Sequence, residues 1–321
     1  MTLDIIVPHY KEPWEICKYL FDSIAMQRGV SLNNIRVLVV NDGDCLIDIP
    51  DYPYKIDYLV KPHGGISDTR NYGLDHSTAD YVMFCDIDDG FLSNYGLHTV
   101  FSAMQEGFDY LTSTFIEETF SAENTMTIVA HKNDLTFIHG KVYRRQFLLD
   151  RDLRFDPAMT IHEDGYFNML VYIECEHHGV RKNIEAPFYL WRWNDASVVR
   201  KDRKDFTLKT YEHVIQTRIG LCEQLKARGY EKEFRTSVAM TVLNTYYDFQ
   251  KDSYRAPANA KYLRKAENAF REYIRRYGKV FNDITNGEIA DIAATARQNA
   301  RKNGFLFEKE TLKDFTKRFA Q

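Results

Sequence analysis

Three aspartates, Asp86, Asp88 and Asp89, lie within four residues and follow the continuous apolar run of residues 81–85. Such a run predicts a strand that is buried on both faces. Carboxylates this close together repel one another, and aspartate is disfavoured in strands, so the cluster needs compensating positive charge. A divalent cation, which takes oxygen ligands, would supply it. The alternative interpretation is an exposed acidic turn, because a D-x-D pattern alone is common.

Four apolar runs predict the strands that would position this cluster: residues 3–7, 35–40, 56–60 and 79–85. Between them, residues 14–27 carry apolar side chains at helical spacing, and a second helix is expected around residues 68–76. Strands that alternate with helices predict a parallel sheet with helices on its faces. The polar residues that follow each strand would then meet at one edge of the sheet, which is the expected ligand cleft.

The length and composition of the chain are those of a globular protein with a sizeable core. It has 321 residues, of which 44% are hydrophobic and 27% are charged. No apolar run approaches the ~20 residues of a membrane span, and the strand at residues 3–7 stands where a signal segment would lie. The 5 cysteines are widely scattered, which suits a reducing compartment rather than a disulfide framework or a zinc motif. We therefore expect a cytoplasmic protein.

The distribution of charge divides the chain near residue 197. Residues 1–196 contain 16 Lys and Arg against 30 Asp and Glu, a net charge of −14, whereas residues 197–321 contain 26 against 16, a net charge of +10. Helical patterns also replace strands there, over residues 206–228, 231–250, 261–277, 288–302 and 310–319. We expect two domains, the second one α-helical and serving acceptor binding or oligomerisation. Its positive charge suggests a polyanionic partner, although a solvated helix face is the alternative.

Several segments, in order along the chain, resemble glycosyltransferase family 2: residues 5–12, 37–43, 64–74, 81–89 and 161–167. The resemblance covers roughly residues 3–200, and the remainder of the chain carries none. It implies a GT-A fold, which is a Rossmann-like mixed sheet with helices on both faces. It also implies a nucleoside-diphosphate sugar as donor, a divalent metal (Mn²⁺ or Mg²⁺), and inversion at the anomeric carbon.

The resemblance also implies roles for the aspartate cluster. Asp88 would hold the metal with Asp86 or Asp89 assisting, and the ion would act as a Lewis acid on the diphosphate. Asp86 would lie nearer the ribose, but the sequence alone does not divide these roles. His162 is a candidate third ligand, against the alternative of a structural histidine. The further residues that the matching segments place at the donor are Pro8, Tyr10, Glu12 and Ile87.

Four other residues are candidates for donor contact. Arg70 lies one turn into a helix led by glycines, where a positive helix end suits a diphosphate or nucleobase; an ordinary surface arginine is the alternative. Asp42 would accept a hydrogen bond from the base or ribose, unless it only forms a turn before Gly43. Arg192 and Ser197 resemble the family's diphosphate-contacting pair on a closing loop, and Arg192 suits a bidentate phosphate contact.

Glu163 and Asp164 form the candidate catalytic pair. An inverting transferase needs a carboxylate that takes the proton from the acceptor hydroxyl during in-line attack. Adjacent carboxylates raise each other's pKa, which favours a base, whereas the dipole of the expected helix at residues 165–174 opposes that shift. The resemblance places the base at Asp164. Simple helix capping by either residue is the alternative.

The sequence therefore predicts an inverting, metal-dependent glycosyltransferase that uses a UDP-sugar. Two acceptors remain open: a hydroxylated pyrimidine in polymeric DNA, as in phage enzymes that resemble this family, and a bacterial surface polysaccharide or lipid-linked glycan. The first would place the enzyme in a host cytoplasm, and the second at the periphery of an anionic membrane. A catalytically inactive sugar-binding module is disfavoured, because the acidic cluster and the Glu-Asp pair are both intact.

Overall fold

The computed structural model describes residues 1–43, 45–120, 125–195, 206–284 and 286–320. The chain divides into two compact units, Met1–Asp195 and Ala196–Gln321. The first unit is α/β, and the described part of the second is helical. The assignment of donor chemistry to one unit and of acceptor binding or oligomerisation to the other stays a prediction.

The first unit is built from strands and helices that alternate through its first half. The strands are β1 (Leu3–His9), β2 (Ile35–Asp42), β3 (Lys55–Lys61), β4 (Tyr81–Phe84), β5 (Gly90–Phe91), β6 (Tyr110–Phe120), β7 (Met126–His131), β8 (Val142–Arg144) and β9 (Arg181–Trp191). The helices are α1 (Trp14–Ala25), α2 (Ile66–His76), α3 (Gly96–Glu106), α4 (Arg145–Asp150) and α5 (Glu163–His178).

One mixed sheet runs through this unit in the order β3-β2-β1-β4-β8-β6-β9-β5, and β7 pairs with β6. Strands β3, β2, β1 and β4 are parallel, whereas β8 is antiparallel to β4. The side chains of β1, β2 and β4 are almost all buried, as their continuous apolar sequences require. Because these strands are parallel, their carboxyl ends and the polar segments that follow lie at one edge.

Helices cover both faces of the sheet. Phe21 of α1 and Leu97 of α3 pack in the core beneath Val39 and Met83. The helix α2 approaches β1 so closely that a Cβ atom on Gly73 would lie 2.4 Å from a side-chain carbon of Ile6. A larger residue at this position would push α2, and with it Arg70, away from the sheet.

The second unit contains α6 (Phe206–Lys209), α7 (Tyr211–Ala227), α8 (Glu231–Gln250), α9 (Asp252–Arg255), α10 (Ala260–Asn282), α11 (Asn286–Lys302) and α12 (Leu312–Ala320). The expected end of a helix at Gly278 is wrong, because α10 continues to Asn282. Buried Tyr277 and Phe281 hold this last turn in the core, which offsets the ~1 kcal/mol cost of a helical glycine. No helix among the described residues is long and apolar enough to cross a bilayer.

An aromatic core holds α8, α10 and α12 together. The ring of Phe270 in α10 lies 5.4 Å from that of Phe315 and 5.0 Å from that of Phe319, both in α12. Phe249 at the end of α8 contacts the same cluster, 6.1 Å from Phe270. Aromatic pairs at these separations add to the burial of their surface, so this unit has a core of its own.

Candidate active site

Arg70 connects the two groups of acidic residues that the sequence analysis singled out. It is 3% exposed, and its guanidinium donates to Asp86 Oδ1 at 2.9 Å and to Glu163 Oε1 at 2.8 Å. The guanidinium also lies 5.2 Å from the ring centre of Phe155. A buried arginine held by two carboxylates is fixed in position. Arg70 is therefore not an ordinary surface arginine, and its predicted contact with the donor is untested.

The carboxylate of Asp164 lies beside this bridge at the first turn of α5. Burial, followed by repulsion from Glu163, raises the pKa of Asp164 to about 7, although Arg70 acts in the opposite direction. The Asp164 side chain is partly exposed, and one of its oxygens accepts a hydrogen bond from Gly165 N at 2.9 Å. A carboxylate that is accessible and half-ionised near neutral pH has the properties of a general base.

Glu163 and His162 complete the start of α5. Glu163 is 7% exposed and is committed to Arg70, which makes it a positioning group for the pair rather than a second accessible base. His162 precedes the helix with a left-handed backbone, φ 63°. Among the described residues, the His162 side chain makes no capping hydrogen bond to a backbone N–H at the start of α5.

Asp89 is the most deeply buried member of the aspartate cluster, with 0% exposure. Its carboxylate accepts hydrogen bonds from the Tyr189 hydroxyl at 2.7 Å and from Arg192 N at 3.0 Å. Burial, with repulsion from Asp88 and Asp86, raises its pKa well above the usual range. Asp89 therefore anchors β9 to the loop after β4.

Asp86, Asp89 and His139 form a group that could hold a metal ion, with one ligand atom from each within 4.8 Å of the others. His139 Nδ1 is buried without a hydrogen-bond partner among the described residues and lies 3.5 Å from Asp89 Oδ2. Burial lowers the pKa of His139 to about 3, so the ring is neutral and can offer a lone pair. The residues fit a divalent cation. Asp88 and His162 lie outside this group, and their predicted role as ligands is untested.

Asp88 and Arg192 lie next to each other at the mouth of the cluster. Asp88 is half-buried; its Oδ2 accepts from Asn194 Nδ2 at 2.8 Å, and its backbone carbonyl accepts from Arg192 at 3.3 Å. The Arg192 guanidinium also stacks over Tyr19 at 4.0 Å from the ring centre. An arginine side chain can bind a diphosphate through two parallel hydrogen bonds, and the contact of Arg192 with the donor stays a prediction. Ser197, its predicted companion, lies outside the described residues.

Asp42 is engaged by the segment that follows β3. It is 4% exposed, and its oxygens accept from Lys61 Nζ at 2.7 Å, Gly64 N at 2.8 Å and Gly65 N at 2.9 Å. Burial opposes ionisation, but these hydrogen bonds outweigh it and lower the pKa of Asp42. Asp42 thus holds the glycine turn that leads into α2, a structural role beside the predicted contact with base or ribose.

The segment after β1 supplies an aromatic surface at the same edge. Tyr10 is 42% exposed, and its ring stacks on His63 with centres 4.7 Å apart. Its backbone N–H donates to Glu12 Oε2 at 2.7 Å. Burial raises the pKa of Glu12, and the charge of Asp88 adds to this shift. The flat Tyr10–His63 surface would suit a nucleobase.

The other two predicted donor residues belong to the frame of the site. Pro8 pairs with Val40 in the register of β1 and β2, and it is partly exposed. The side chain of Ile87 is 3% exposed and packs in the main core. Any donor contact by Ile87 would therefore come from its backbone.

Sequence reasoning missed His139 as a site residue. The His139 ring stacks on Tyr189 of β9, with ring centres 5.1 Å apart. This contact places the ring beside Asp89. Gly140, with φ +64°, has no room for a side chain, since a Cβ would lie 2.4 Å from Ser113 Oγ. The sequence His139-Gly140-Lys141 gave no specific signal, because the burial of Lys141 beside it is known only from the structure.

The mixed sheet, the aspartate cluster at its carboxyl edge and the facing Glu-Asp pair define a GT-A glycosyltransferase. Residues 4–159 match the model of Glycosyl transferase family 2, and the first unit of the chain belongs to this family. The predictions of a GT-A fold followed by a helical region, and of a glycosyltransferase, are confirmed.

Individual relatives support this assignment. The chain is 28% identical over 264 residues to glycosyltransferase GlyA of Streptococcus pneumoniae, a match to 70% of this chain and 37% of GlyA. It is 25% identical over 258 residues to the uncharacterized glycosyltransferase EpsJ of Bacillus subtilis, with 72% of each covered. This chain therefore spans little more than a third of the length of GlyA.

Among solved structures, the fold is similar to residues 1–349 of S. aureus TarS. The TM-score is 0.63 at 17% identity, over 94% of this chain and 92% of the other. TarS has also been solved with UDP and with UDP-GlcNAc, and these structures match with TM-scores of 0.61 and 0.59. At this identity the likeness shows the fold alone.

Proposed function

We propose that this protein is an inverting, metal-dependent glycosyltransferase that moves a sugar from a UDP-sugar to a hydroxyl of a polymeric acceptor. The observation that carries the proposal is the Arg70 bridge, which fixes Asp86 of the donor edge and Glu163 of the catalytic pair in one assembly. The choice of UDP is supported by the TarS complexes, which share the fold.

Asp164 is the proposed general base. Its raised pKa makes the ionised carboxylate basic enough to take the acceptor proton near neutral pH. As that proton moves to Asp164, the acceptor oxygen bonds to the anomeric carbon, and the bond to the diphosphate breaks on the opposite face. The bonding electrons leave with the diphosphate, so the configuration inverts.

The divalent cation would be held by Asp86, Asp88, Asp89 and His139. When bound, it supplies the positive charge that stabilises the departing diphosphate. Neutral His139 offers a nitrogen without a proton cost, and Arg70 orients Asp86 through its hydrogen bond. Arg192, and Ser197 if it follows the family pattern, would contact the diphosphate itself.

The proposed acceptor is a polymeric glycan, such as a surface polysaccharide or a lipid-linked glycan. A polymer is supported by the net charge of +10 over residues 197–321, which small neutral acceptors do not need. A hydroxylated base in DNA would draw on the same charge, and it is the second acceptor to test.

Donor hydrolysis in the absence of acceptor tests the enzyme directly. UDP-, GDP- and TDP-sugars are incubated with the full chain and Mn²⁺, with a parallel series in excess EDTA. We expect release of UDP from at least one UDP-sugar, and its loss in EDTA. If every donor remains intact while a UDP-sugar still binds, the protein is a sugar-binding module and the proposed function is wrong.

A further inference from the structure

The chain that joins α4 to α5, residues 151–162, is bound to α2 by side-chain hydrogen bonds. This entry segment forms no helix or strand of its own. Ser67, which is 1% exposed, donates from its hydroxyl to the carbonyl oxygen of Met159 at 2.7 Å. The amide of Asn71 donates to the carbonyl oxygen of Phe155 at 2.8 Å and accepts from Phe155 N at 3.0 Å. Two side chains of α2 therefore fix the backbone of the entry segment at two points.

The side chains of α2 that make these contacts lie on one face of the helix. Ser67, Arg70 and Asn71 are spaced by three and four residues, which places them side by side. Arg70 reaches Glu163, the first residue of α5. The helix itself lies directly on the sheet, because a Cβ atom on Gly73 would be 2.4 Å from a side-chain carbon of β1. A helix packed this closely is a rigid frame for the segment that it binds.

The entry segment ends in a residue whose backbone conformation is unfavourable. His162 has φ 63°, in the left-handed region that residues with a Cβ atom adopt only at a cost in energy. Such a conformation persists where the surrounding structure holds the chain on both sides. Ser67 holds Met159, three residues before His162, and Arg70 holds Glu163, the residue after it. The next residue is the proposed base, so relaxation of this turn would move its carboxylate.

The ring of Phe155 connects the other end of the entry segment to α5. It is 1% exposed and stacks on Phe167 of α5 with ring centres 4.0 Å apart. It also meets Phe84 of β4 edge to face at 5.1 Å. Because this ring is buried in the core, loss of the Asn71 hydrogen bonds should shift the segment without detaching it.

We propose that Ser67 and Asn71 are positioning residues for the carboxylate of Asp164. They hold the entry segment on α2 and so fix the start of α5 relative to the donor edge of the sheet. A base acts only within hydrogen-bond reach of the proton that it takes, and a displacement of ~1 Å can lower a rate by about 10²-fold. The inference rests on the proposed function in one respect, since it takes Asp164 to be the base.

Matched variants of the full chain separate positioning from stability. Ser67→Ala and Asn71→Ala remove the hydrogen bonds and keep a good helix former in α2. Gln27→Ala is the control, because the Gln27 amide likewise accepts from a backbone N–H, that of Leu97 at 2.9 Å, and donates to a carbonyl oxygen, that of Ser93 at 2.9 Å. Thermal unfolding of each variant is measured, and all three should be destabilised to a similar extent.

Hydrolysis of a UDP-sugar with Mn²⁺ measures the effect on the reaction, with water in place of the acceptor. The substrate is whichever of UDP-glucose and UDP-GlcNAc the wild-type protein hydrolyses faster. We expect kcat to fall on the order of tenfold in each α2 variant and on the order of 10²-fold in the double variant. The KM for the donor, and kcat of Gln27→Ala, should stay within about twofold of wild type. Equal losses of kcat in the α2 variants and the control, or a raised KM with kcat unchanged, would overturn the proposal.

Hydrogen exchange follows the entry segment without catalysis. Backbone amides of residues 155–165 should exchange faster in Ser67→Ala and Asn71→Ala than in the wild-type protein, and Gln27→Ala should leave them unchanged. Unchanged exchange in both α2 variants would overturn the proposal. No hydrolysis by the wild-type protein would contradict the proposed function, whereas hydrolysis that the α2 variants leave unchanged would contradict only the positioning role.

Discussion

At the residue scale, the predicted binding of a metal by the aspartate cluster can be tested at Asp88. We expect Asp88→Asn to abolish metal-dependent donor hydrolysis, because a neutral amide is a far weaker ligand for a hard cation. The fold should persist, since the substitution removes a charge that repels Asp89. Hydrolysis with Mn²⁺ and thermal unfolding are measured together, with Asp51→Asn at an exposed carboxylate as control. Wild-type turnover by the purified Asp88 variant would show that Asp88 is not a ligand of the metal.

The raised pKa of Asp164 predicts how transfer depends on pH. Only the ionised carboxylate can accept a proton, so transfer should rise as the pH passes about 7 and level off above it. Asp164→Asn should lower transfer by a factor on the order of 10²–10⁴ and remove this rise. The affinity of this variant for the donor, measured by titration with UDP, should change little. A variant that loses UDP affinity as severely as transfer would place Asp164 at the donor instead.

Residue types were enough to single out the acidic cluster and the Glu163–Asp164 pair, because carboxylates that follow a buried strand have few roles, and the catalytic roles of these residues stay predictions. They did not predict which side chains meet. Arg70 and Glu163 are 93 residues apart, and their ion pair depends on how α2 and α5 pack against the same sheet face. His139 was missed for the same reason, since its position beside Asp89 depends on the packing of its ring against Tyr189 of β9.

At the element scale, Arg70 joins α2 to the loop after β4 and to α5. Arg70→Met would leave Asp86 and Glu163 without their cation, and we expect a loss of about 3–5 kcal/mol in the free energy of unfolding. The pair of half-buried Arg154 with exposed Asp75 provides the control, where Arg154→Met should cost less than about 1 kcal/mol. Urea unfolding of both variants gives the two values.

The elements themselves were largely predictable in kind and less so in extent. The runs at residues 3–7, 35–40 and 56–60 became β1, β2 and β3, because buried parallel strands are continuous apolar segments. The two-residue β5 and the three-residue β8 carry no periodicity of their own and exist because neighbouring strands pair with them. The end of α10 was misplaced because packing of its last turn outweighs the local preference of Gly278.

At the scale of the whole molecule, the two units have opposite charge and separate cores. The core of the first unit is formed by residues between Leu3 and Trp191, and the aromatic cluster of the second by residues of α8, α10 and α12. Each unit therefore has the burial that independent folding requires. The described residues of the candidate active site all belong to the first unit, whereas Ser197 belongs to the second.

Truncation to residues 1–200, which keeps Ser197, should therefore separate the two halves of the reaction. We expect the fragment to fold cooperatively, to bind UDP with Mn²⁺ and to hydrolyse the donor. Transfer to a polyanionic polymer should fall, because most of the net charge of +10 over residues 197–321 is gone. In the full chain, polymer transfer should weaken steeply between low and physiological salt, since each contacted phosphate releases counterions, while donor hydrolysis should change much less.

A folded fragment that still transfers to polymer with the same salt dependence would show that the helical unit does not bind the acceptor. It would then be a packing or oligomerisation domain, which sedimentation of the full chain and the fragment would reveal as a difference in oligomeric state.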